Sequence, residues 1–170
     1  MNILTDDMQR LVQEQRLSFV ATVDHQNAPN LAPISSVLVW DRDHLALADL
    51  HTPGTAANLQ QNAAIELNVV DWITRRGYRF KGTGRVLTTG ELFNQIVARY
   101  RREGLVEGSQ AIRSVVLIRV ERAVPVQSPA YDTGIAEAQM SAWWYAYYHK
   151  LYQKRGLEPQ EKDSTHTVVE

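Results

Sequence analysis

The chain has 170 residues, of which 44% are hydrophobic and 22% charged, and its formal net charge is −1. These values suit one globular domain and provide no basic surface of the kind that binds nucleic acid or a membrane. The absence of cysteine excludes disulfides, cysteine-ligated zinc, iron–sulfur clusters and thiolate catalysis. Because no segment has the pattern of a signal peptide or a membrane span, the sequence predicts a cytoplasmic protein.

The N-terminal half predicts one helix followed by strands. Thr5 and the two aspartates after it are typical of a helix start. The next segments are β-rich and separated by short polar turns, which predicts a meander of three strands: SFVATVD (18–24), LAPISSVLVW (31–40) and HLALAD (44–49). After them, HTPGTAANLQQN (51–62) predicts a short helix with Thr52 and Thr55 as candidate N-caps.

The C-terminal half predicts three further strands: AIELNVVDW (64–72), GYRFKGTGRVLTTG (77–90) and SVVLIRVERAVPVQ (114–127). Gly82 and Gly84 lie inside the second of these strands, where glycine favours a bulge or a sharp bend. Between the last two strands, ELFNQIVARYRREG (91–104) predicts an amphipathic helix. Six strands with short turns and inserted helices favour a small antiparallel β-barrel.

Residues 135–155 predict a final helix whose aromatic side chains, including Trp143 and Trp144, spread beyond a single stripe. A helix of this kind is usually covered on two sides. We therefore expect it to pack on the barrel with one face and on a partner subunit or a ligand ring with another. One domain is predicted over residues 1–155, and the polar tail, 156–170, is expected to be disordered.

General catalytic motifs give no support for a particular reaction. The five histidines show neither an HExxH motif nor a close pair on one helix, which argues against a histidine metal site. No nucleophile-elbow or phosphate-loop motif is found. Asp41, Asp43 and Asp49 fit turns and strand ends, so they do not support a hydrolase with paired carboxylates.

Three features would favour an anion such as a phosphate. The first is the helix start at residues 52–58, for which simple N-capping is the commoner explanation. The second is Arg79 with Lys81, which strand alternation places on one face, where they repel unless a carboxylate, a solvent ion or a ligand phosphate lies between them. Taken alone, such a pair is most often a solvated strand face. The third is the pair Ser35 and Ser36, of which one must point inward and either bond the backbone or face a ligand.

Taken together in this order, these stretches resemble the pyridoxamine 5'-phosphate oxidase-like, FMN-binding split-barrel family. The resemblance runs from about residue 8 to residue 128, and the C-terminal SPAYDTG and WW segments resemble one uncharacterised branch. The segments that carry it are FVATVDHQNAPNLAPISS (19–36), LALADLHTPGTAANLQQNAAIELNV (45–69) and GYRFKGTGRV (77–86). It implies a homodimer of six-stranded split barrels that binds two FMN molecules between the subunits.

The resemblance also implies a set of cofactor-binding residues. Ser35, Ser36 and Val37 fall on the strand that follows the flavin ring. The aromatic last helix, and not the resemblance, leads us to expect Trp143 or Trp144 near the flavin or the dimer seam. The remaining positions correspond to the phosphate site: Thr55 and Asn58 at the helix start, and Arg79 and Lys81 on the neighbouring strand.

One departure from the family pattern concerns the cofactor. The family usually has a lysine or arginine at or just before the position of Thr55, and this chain has Pro53, Gly54 and Thr55 there. Either Arg79 and Lys81 compensate, or the phosphate is bound more weakly, or FMN has been abandoned. Relatives that use haem or a deazaflavin keep the same barrel, so these cofactors stay as alternatives.

The leading functional prediction is an FMN-dependent oxidoreductase that acts on a small molecule, since the flavin itself would supply the redox chemistry. The alternative is a non-enzymatic flavin or haem binder that serves as a carrier, sensor or scavenger. Haem would need an axial ligand, for which His149 and His51 are the candidates. A third class, a dimeric interaction module without a cofactor, leaves Arg79 and Lys81 unexplained.

Overall fold

The structure is a computed structural model that describes residues 2–50, 53–106 and 111–157. Within these residues the strands are β1 (Ser18–Val23), β2 (Pro29–Ile34), β3 (Val37–Val39), β4 (His44–Asp49), β5 (Ala64–Asp71), β6 (Arg76–Leu87) and β7 (Ser114–Gln127). The helices are α1 (Asp6–Glu14), α2 (Pro53–Gln61), α3 (Glu91–Arg102), α4 (Glu137–Arg155) and a short 3₁₀ helix (Pro129–Thr133).

The chain divides into two compact units. The first contains the residues up to Asp71 together with Arg75–Ser128, and therefore includes the entire sheet. The second combines the short turn Trp72–Thr74 with the residues from Pro129 onward. The residues predicted as one domain, 1–155, thus divide between two compact units, and each unit is discontinuous in sequence.

The sheet curls back on itself. Its strand order is β2-β1-β5-β6-β7-β4-β3, and every neighbouring pair is antiparallel. The two edge strands, β2 and β3, are nevertheless joined by Ser35 and Ser36 alone. Since two residues span at most roughly 10 Å, the edges must lie close together, as in a split barrel. The predicted split-barrel fold is confirmed, with the difference that the segment 31–40 is broken into two strands.

The barrel interior is filled from both edges. Ile34 on β2 and Val39 on β3 belong to the same buried cluster as Val20 on β1 and Phe80 on β6. Helix α1 contributes Leu11 to this cluster and contacts β3, β5 and β6. Its predicted start at Thr5 is confirmed, because the Thr5 hydroxyl accepts a hydrogen bond from the N–H of Met8 at 3.3 Å.

A second buried cluster lies between the sheet and α3. Ile96 and Tyr100 of α3 pack there with Leu38 and Val115, and Tyr100 has no exposed surface. The Tyr100 hydroxyl donates to the carbonyl of Ser36 at 2.7 Å. Burial raises the pKa of this phenol well above its usual value, so it remains a neutral donor.

The predicted bulge lies where the glycine-rich segment of β6 pairs with β7. Lys81 pairs with Arg122 and Gly82 with Val120, so one residue of β7 is left over at this point. A Cβ at Gly82 would lie 1.9 Å from the carbonyl oxygen of Arg119. Only glycine therefore allows β7 to approach so closely.

The second unit is held together by aromatic side chains. The rings of Trp72 and Tyr148 meet edge to face with their centroids 4.3 Å apart, and Trp144 packs against Tyr148 at 5.9 Å. The Tyr131 hydroxyl donates to the carbonyl of Thr74 at 2.5 Å. Helix α4 ends at Gly156, whose φ of 65° is left-handed, and residues 158–170 of the predicted disordered tail lie outside the described residues.

Candidate functional site

A groove opens where β1 separates from β5. The two strands pair only from Ser18 to Ala21, while Thr22 and Val23 continue with β2 alone. The groove has a volume of about 360 Å³ and lies entirely within the first unit. Its lining includes Thr22, Pro29, Ile65, Glu66, Lys81 and Glu121.

Buried hydroxyl and amide groups meet around Thr22, one of the residues that line this groove. The amide nitrogen Nδ2 of Asn58 donates to Thr22 Oγ1 at 3.1 Å, and Nδ2 of Asn30 donates to Thr22 Oγ1 at 3.2 Å and Thr55 Oγ1 at 3.4 Å. Thr22 and Thr55 are 3% and 2% exposed. Because both hydroxyls already accept, their own protons remain to be donated, and no acceptor for them is found in the described part of the chain. Two buried O–H donors fit an oxygen-rich ligand.

Thr55 does not have the predicted role of an N-cap. Helix α2 begins at Pro53, so Thr55 lies within its first turn. Thr52, the other candidate cap, is outside the described residues. Thr55 and Asn58 are instead brought together with Thr22 and Asn30, next to the N-terminal end of a nine-residue helix whose free N–H groups favour an anion.

The negative group between Arg79 and Lys81 is the carboxylate of Glu66. Its Oε1 lies 3.0 Å from Arg79 Nε, and its Oε2 lies 2.8 Å from Lys81 Nζ. Asn68 Oδ1 accepts a second hydrogen bond from Arg79 Nε at 3.3 Å. The cations point away from the barrel core, where Phe80 is buried, and their side chains are 43% and 53% exposed. A ligand can therefore reach Arg79 and Lys81, but the negative charge of Glu66 already neutralises part of their positive charge.

Of the three residues predicted to lie beside the flavin ring, Ser35, Ser36 and Val37, only one has a side chain that is free to contact a ligand. The Ser36 hydroxyl donates to the carbonyl of Ala48 at 2.9 Å and accepts from its N–H at 3.2 Å, so the backbone-bonded alternative is confirmed for this serine. The Val37 side chain belongs to the barrel core. Ser35 is exposed, and so its side chain remains accessible to a bound group.

Trp143 and Trp144 belong to the second unit. Trp143 is 52% exposed, whereas Trp144 packs against Tyr147 and Tyr148. His149, a candidate haem ligand, stacks on Tyr145 and lies 3.1 Å from Gln153 through its Nε2 atom, while His51 is outside the described residues.

Three residues of the site were missed by the sequence analysis: Thr22, Asn30 and Glu66. The alternation in AIELNVVD puts Glu66 on the polar face of β5, and the hairpin register pairs it with Lys81. That register gives a local signal for the ion pair. Thr22 and Asn30 gave no such signal, since their role depends on how α2 packs across β1 and β2.

Neither a metal site nor a membrane span is found in the described residues. No three histidine, aspartate or glutamate side chains there are grouped so that they could hold a metal ion. Among the described helices, none is both long enough and apolar enough to cross a membrane.

Comparison with known proteins identifies related folds. The family model of pyridoxamine 5'-phosphate oxidase matches residues 4–127. HupZ of Group A Streptococcus, solved in a tagged form, is 31% identical; the match covers 73% of this chain and 94% of HupZ, with a TM-score of 0.64. No curated protein matches the chain.

Two solved structures of lower identity share the fold and differ in what they bind. One is an FMN-binding protein of Syntrophomonas wolfei, 19% identical over 72% of this chain and 90% of its own, with a TM-score of 0.57. The other is the haem storage protein HutZ of Vibrio cholerae, 21% identical over 73% of this chain and 94% of its own, with a TM-score of 0.56. The fold therefore accommodates more than one cofactor.

Proposed function

Because this chain belongs to the pyridoxamine 5'-phosphate oxidase family, we propose that it is an FMN-binding flavoprotein that acts as an oxidoreductase on a small molecule. The observation that carries the proposal is the groove beside β1, which both Thr22 and Lys81 line. It brings together Thr22, which has a buried hydroxyl group, and the Lys81 cation, and both kinds of group bind a phosphate monoester. The residues present thus fit the phosphate of FMN.

The proposed roles follow from the chemistry of each group. Thr22 and Thr55 would donate their free O–H groups to phosphate oxygens, while Asn58 holds Thr22 in place. Arg79 and Lys81 would supply the positive charge that the family usually takes from the start of α2. When bound, the flavin would carry the electron transfer, and the protein would bind, orient and shield it.

The proposed ring-side contacts extend the site along the chain. Ser35 has the accessible side chain on the segment that resembles the flavin-ring strand of the family, and Ser36 and Val37 would contribute backbone there. Trp143 and Trp144 are proposed to approach the flavin or the seam between subunits, since aromatic rings stack favourably on a flavin.

The proposal includes a homodimer, for which the outer face of β1 and β2 is suited. Phe19 and Leu31 are 47% and 64% exposed there, and Phe19 pairs with Pro33 across the two strands. The face is contiguous with Ala21, which pairs with both Leu31 and Glu66. An apolar patch beside a polar groove is typical of an interface that shares a ligand.

The absorption spectrum of the purified protein, followed by titration with FMN and riboflavin, tests the function. We expect flavin bands that bleach when a nicotinamide donor is added. A protein that neither carries flavin nor binds added FMN would contradict the proposal, and bound flavin that no donor reduces would favour a carrier.

The second candidate is a non-enzymatic flavin or haem binder. It is favoured by the pairing of Arg79 and Lys81 with Glu66, which leaves little net charge for a phosphate, and by Thr55 standing where the family has a cation. His149 would then be the axial ligand among the described residues. A Soret band on addition of haemin, reduced in His149→Ala, would support this candidate.

A further inference from the structure

Helix α3 holds the main chain at both ends of strand β3. The Tyr100 hydroxyl donates to the carbonyl of Ser36, just before the strand, at 2.7 Å. The guanidinium of Arg99 donates to the carbonyl of Trp40, just after the strand, at 2.9 Å. Two successive residues of one helix therefore fix two carbonyls on either side of β3.

The sheet itself does not orient the carbonyl of Ser36. The pairing of β3 with β4 begins one residue later, at Val37. At Ser36 the side chain takes the place of the ladder, because its hydroxyl donates to the carbonyl of Ala48 at 2.9 Å and accepts from the N–H of Ala48 at 3.2 Å. Ser36 is only 2% exposed, so its carbonyl needs a partner within the protein, and the Tyr100 hydroxyl supplies one.

This contact also orients the next N–H along the chain. In a planar trans peptide the carbonyl and the N–H point in opposite directions. Since the Ser36 carbonyl is held toward α3, the N–H of Val37 is directed away from α3. Tyr100 has no exposed surface and packs with Ile96 and Leu38, so it cannot easily turn away from this bond.

We infer that Tyr100 is a positioning residue of the flavin site, because its hydroxyl fixes the orientation of the Ser36–Val37 peptide. The inference rests on the proposed function, in which this peptide lies beside the flavin ring. The Ser36 hydroxyl is bonded to Ala48 and the Val37 side chain belongs to the core, so the main chain is what these two residues can offer a ligand. A peptide that is oriented before the ligand arrives lowers the ordering cost of binding.

The test is titration of Tyr100→Phe apo-protein with FMN and with riboflavin. We expect both flavins to bind roughly three- to tenfold more weakly and by the same factor, because they share the ring and the lost hydrogen bond does not involve the phosphate. The visible absorption bands of the bound flavin should also move. A residue that only stabilised the fold would lower the urea midpoint and leave both Kd values and the bands of the folded protein unchanged.

Two variants serve as matched controls. Tyr78→Phe removes a phenol hydroxyl that is bonded elsewhere, to Asp7 at 2.6 Å. Arg99→Ala removes the contact of α3 with the far end of β3 and leaves the Ser36 carbonyl bonded. Both variants should bind FMN and riboflavin as the wild type does, so a loss confined to Tyr100→Phe belongs to the Ser36–Val37 peptide and not to the docking of α3.

The possible outcomes separate this inference from the proposed function. A wild-type protein that binds neither flavin contradicts the proposed function, and the inference falls with it. Wild-type binding with unchanged Kd values in Tyr100→Phe, or with a loss for FMN alone, overturns the inference only. If Tyr100→Phe does not fold, NMR of the ¹⁵N-labelled wild type decides: riboflavin should shift the Val37 amide signal more than that of Val39, and a Val37 signal that does not move overturns the inference.

Discussion

Removal of the Lys81 ammonium should weaken FMN binding and leave riboflavin binding unchanged. A charge-assisted hydrogen bond contributes about 1.5–3 kcal/mol. In the free protein, however, Lys81 is bonded to Glu66 at 2.8 Å with its side chain 53% exposed, and such a pair contributes about 0–1 kcal/mol that must be given up on binding. The net loss in Lys81→Ala is then about 0.5–3 kcal/mol, or roughly two- to 150-fold in Kd.

The neighbouring carboxylate predicts an effect of opposite sign. Glu66 competes with a phosphate for both cations, since its two oxygens lie 3.0 Å from Arg79 Nε and 2.8 Å from Lys81 Nζ. Glu66→Gln removes that competing charge with little change in shape. FMN should therefore bind more tightly, by at most roughly fivefold, because exposed ion pairs contribute no more than about 1 kcal/mol.

Fluorescence titration of apo-protein with FMN and with riboflavin measures both effects. Arg85→Ala is the matched control, because Arg85 is another exposed cation of β6 that does not line the groove. Riboflavin lacks the phosphate and should bind all variants equally. The reasoning is refuted if Glu66→Gln weakens FMN binding, or if Lys81→Ala and Arg85→Ala behave alike.

Four further outcomes are expected. Sedimentation should show a dimer that Leu31→Glu weakens, since this side chain is 64% exposed on the proposed interface, and a folded wild-type monomer at micromolar concentration would contradict the dimer. FMN should quench tryptophan fluorescence less when Trp143 and Trp144 are replaced by Phe; an unchanged quench would exclude them from the site. Gly82→Ala should lower the free energy of unfolding in urea by more than about 2 kcal/mol, whereas Gly54→Ala, whose Cβ would come no closer than 3.5 Å to Asn30, should not. Asp43 accepts the N–H of Ile3 at 3.0 Å, which lowers the pKa of this carboxyl from 3.8 to about 2. The ionised Asp43 carboxylate therefore stabilises the folded state above pH 3.8, and this stabilisation is lost as the pH falls to about 2. The melting temperatures of Asp43→Asn and wild type should therefore differ at pH 6 and converge near pH 2.

Local patterns in the sequence were sufficient for most of the elements and for the bulge opposite Gly82. Gly82 was placed correctly because glycine inside a β-rich segment most often marks a bulge or a close approach of another strand. The break at Ser35 and Ser36 was not predicted, since LAPISSVLVW is β-forming on both sides of the serines. The chain crosses there from one edge of the sheet to the other, and that crossing depends on closure of the whole barrel.

The candidate site divides in the same way between local and distant contacts. Arg79 and Lys81 were predicted to share a face, which follows from strand alternation alone. Their bond to Glu66 required the register of β5 against β6, a contact between residues distant in sequence. The cluster around Thr22 could not be predicted from the sequence, because it depends on the packing of a helix against strands. The residue types that form it are also common in turns and helix caps.

The turn between β5 and β6 has a consequence for how such a chain can diversify. Trp72 and Thr74 belong to the same compact unit as Tyr131 and Tyr148, which are encoded far downstream. A hairpin turn ordinarily tolerates insertions and deletions. Here a change in its length would displace the surface on which the C-terminal aromatic residues rest, so the two regions should evolve together. Relatives without a C-terminal segment beyond the matched residues 4–127 would be released from this constraint, and their turns should vary freely.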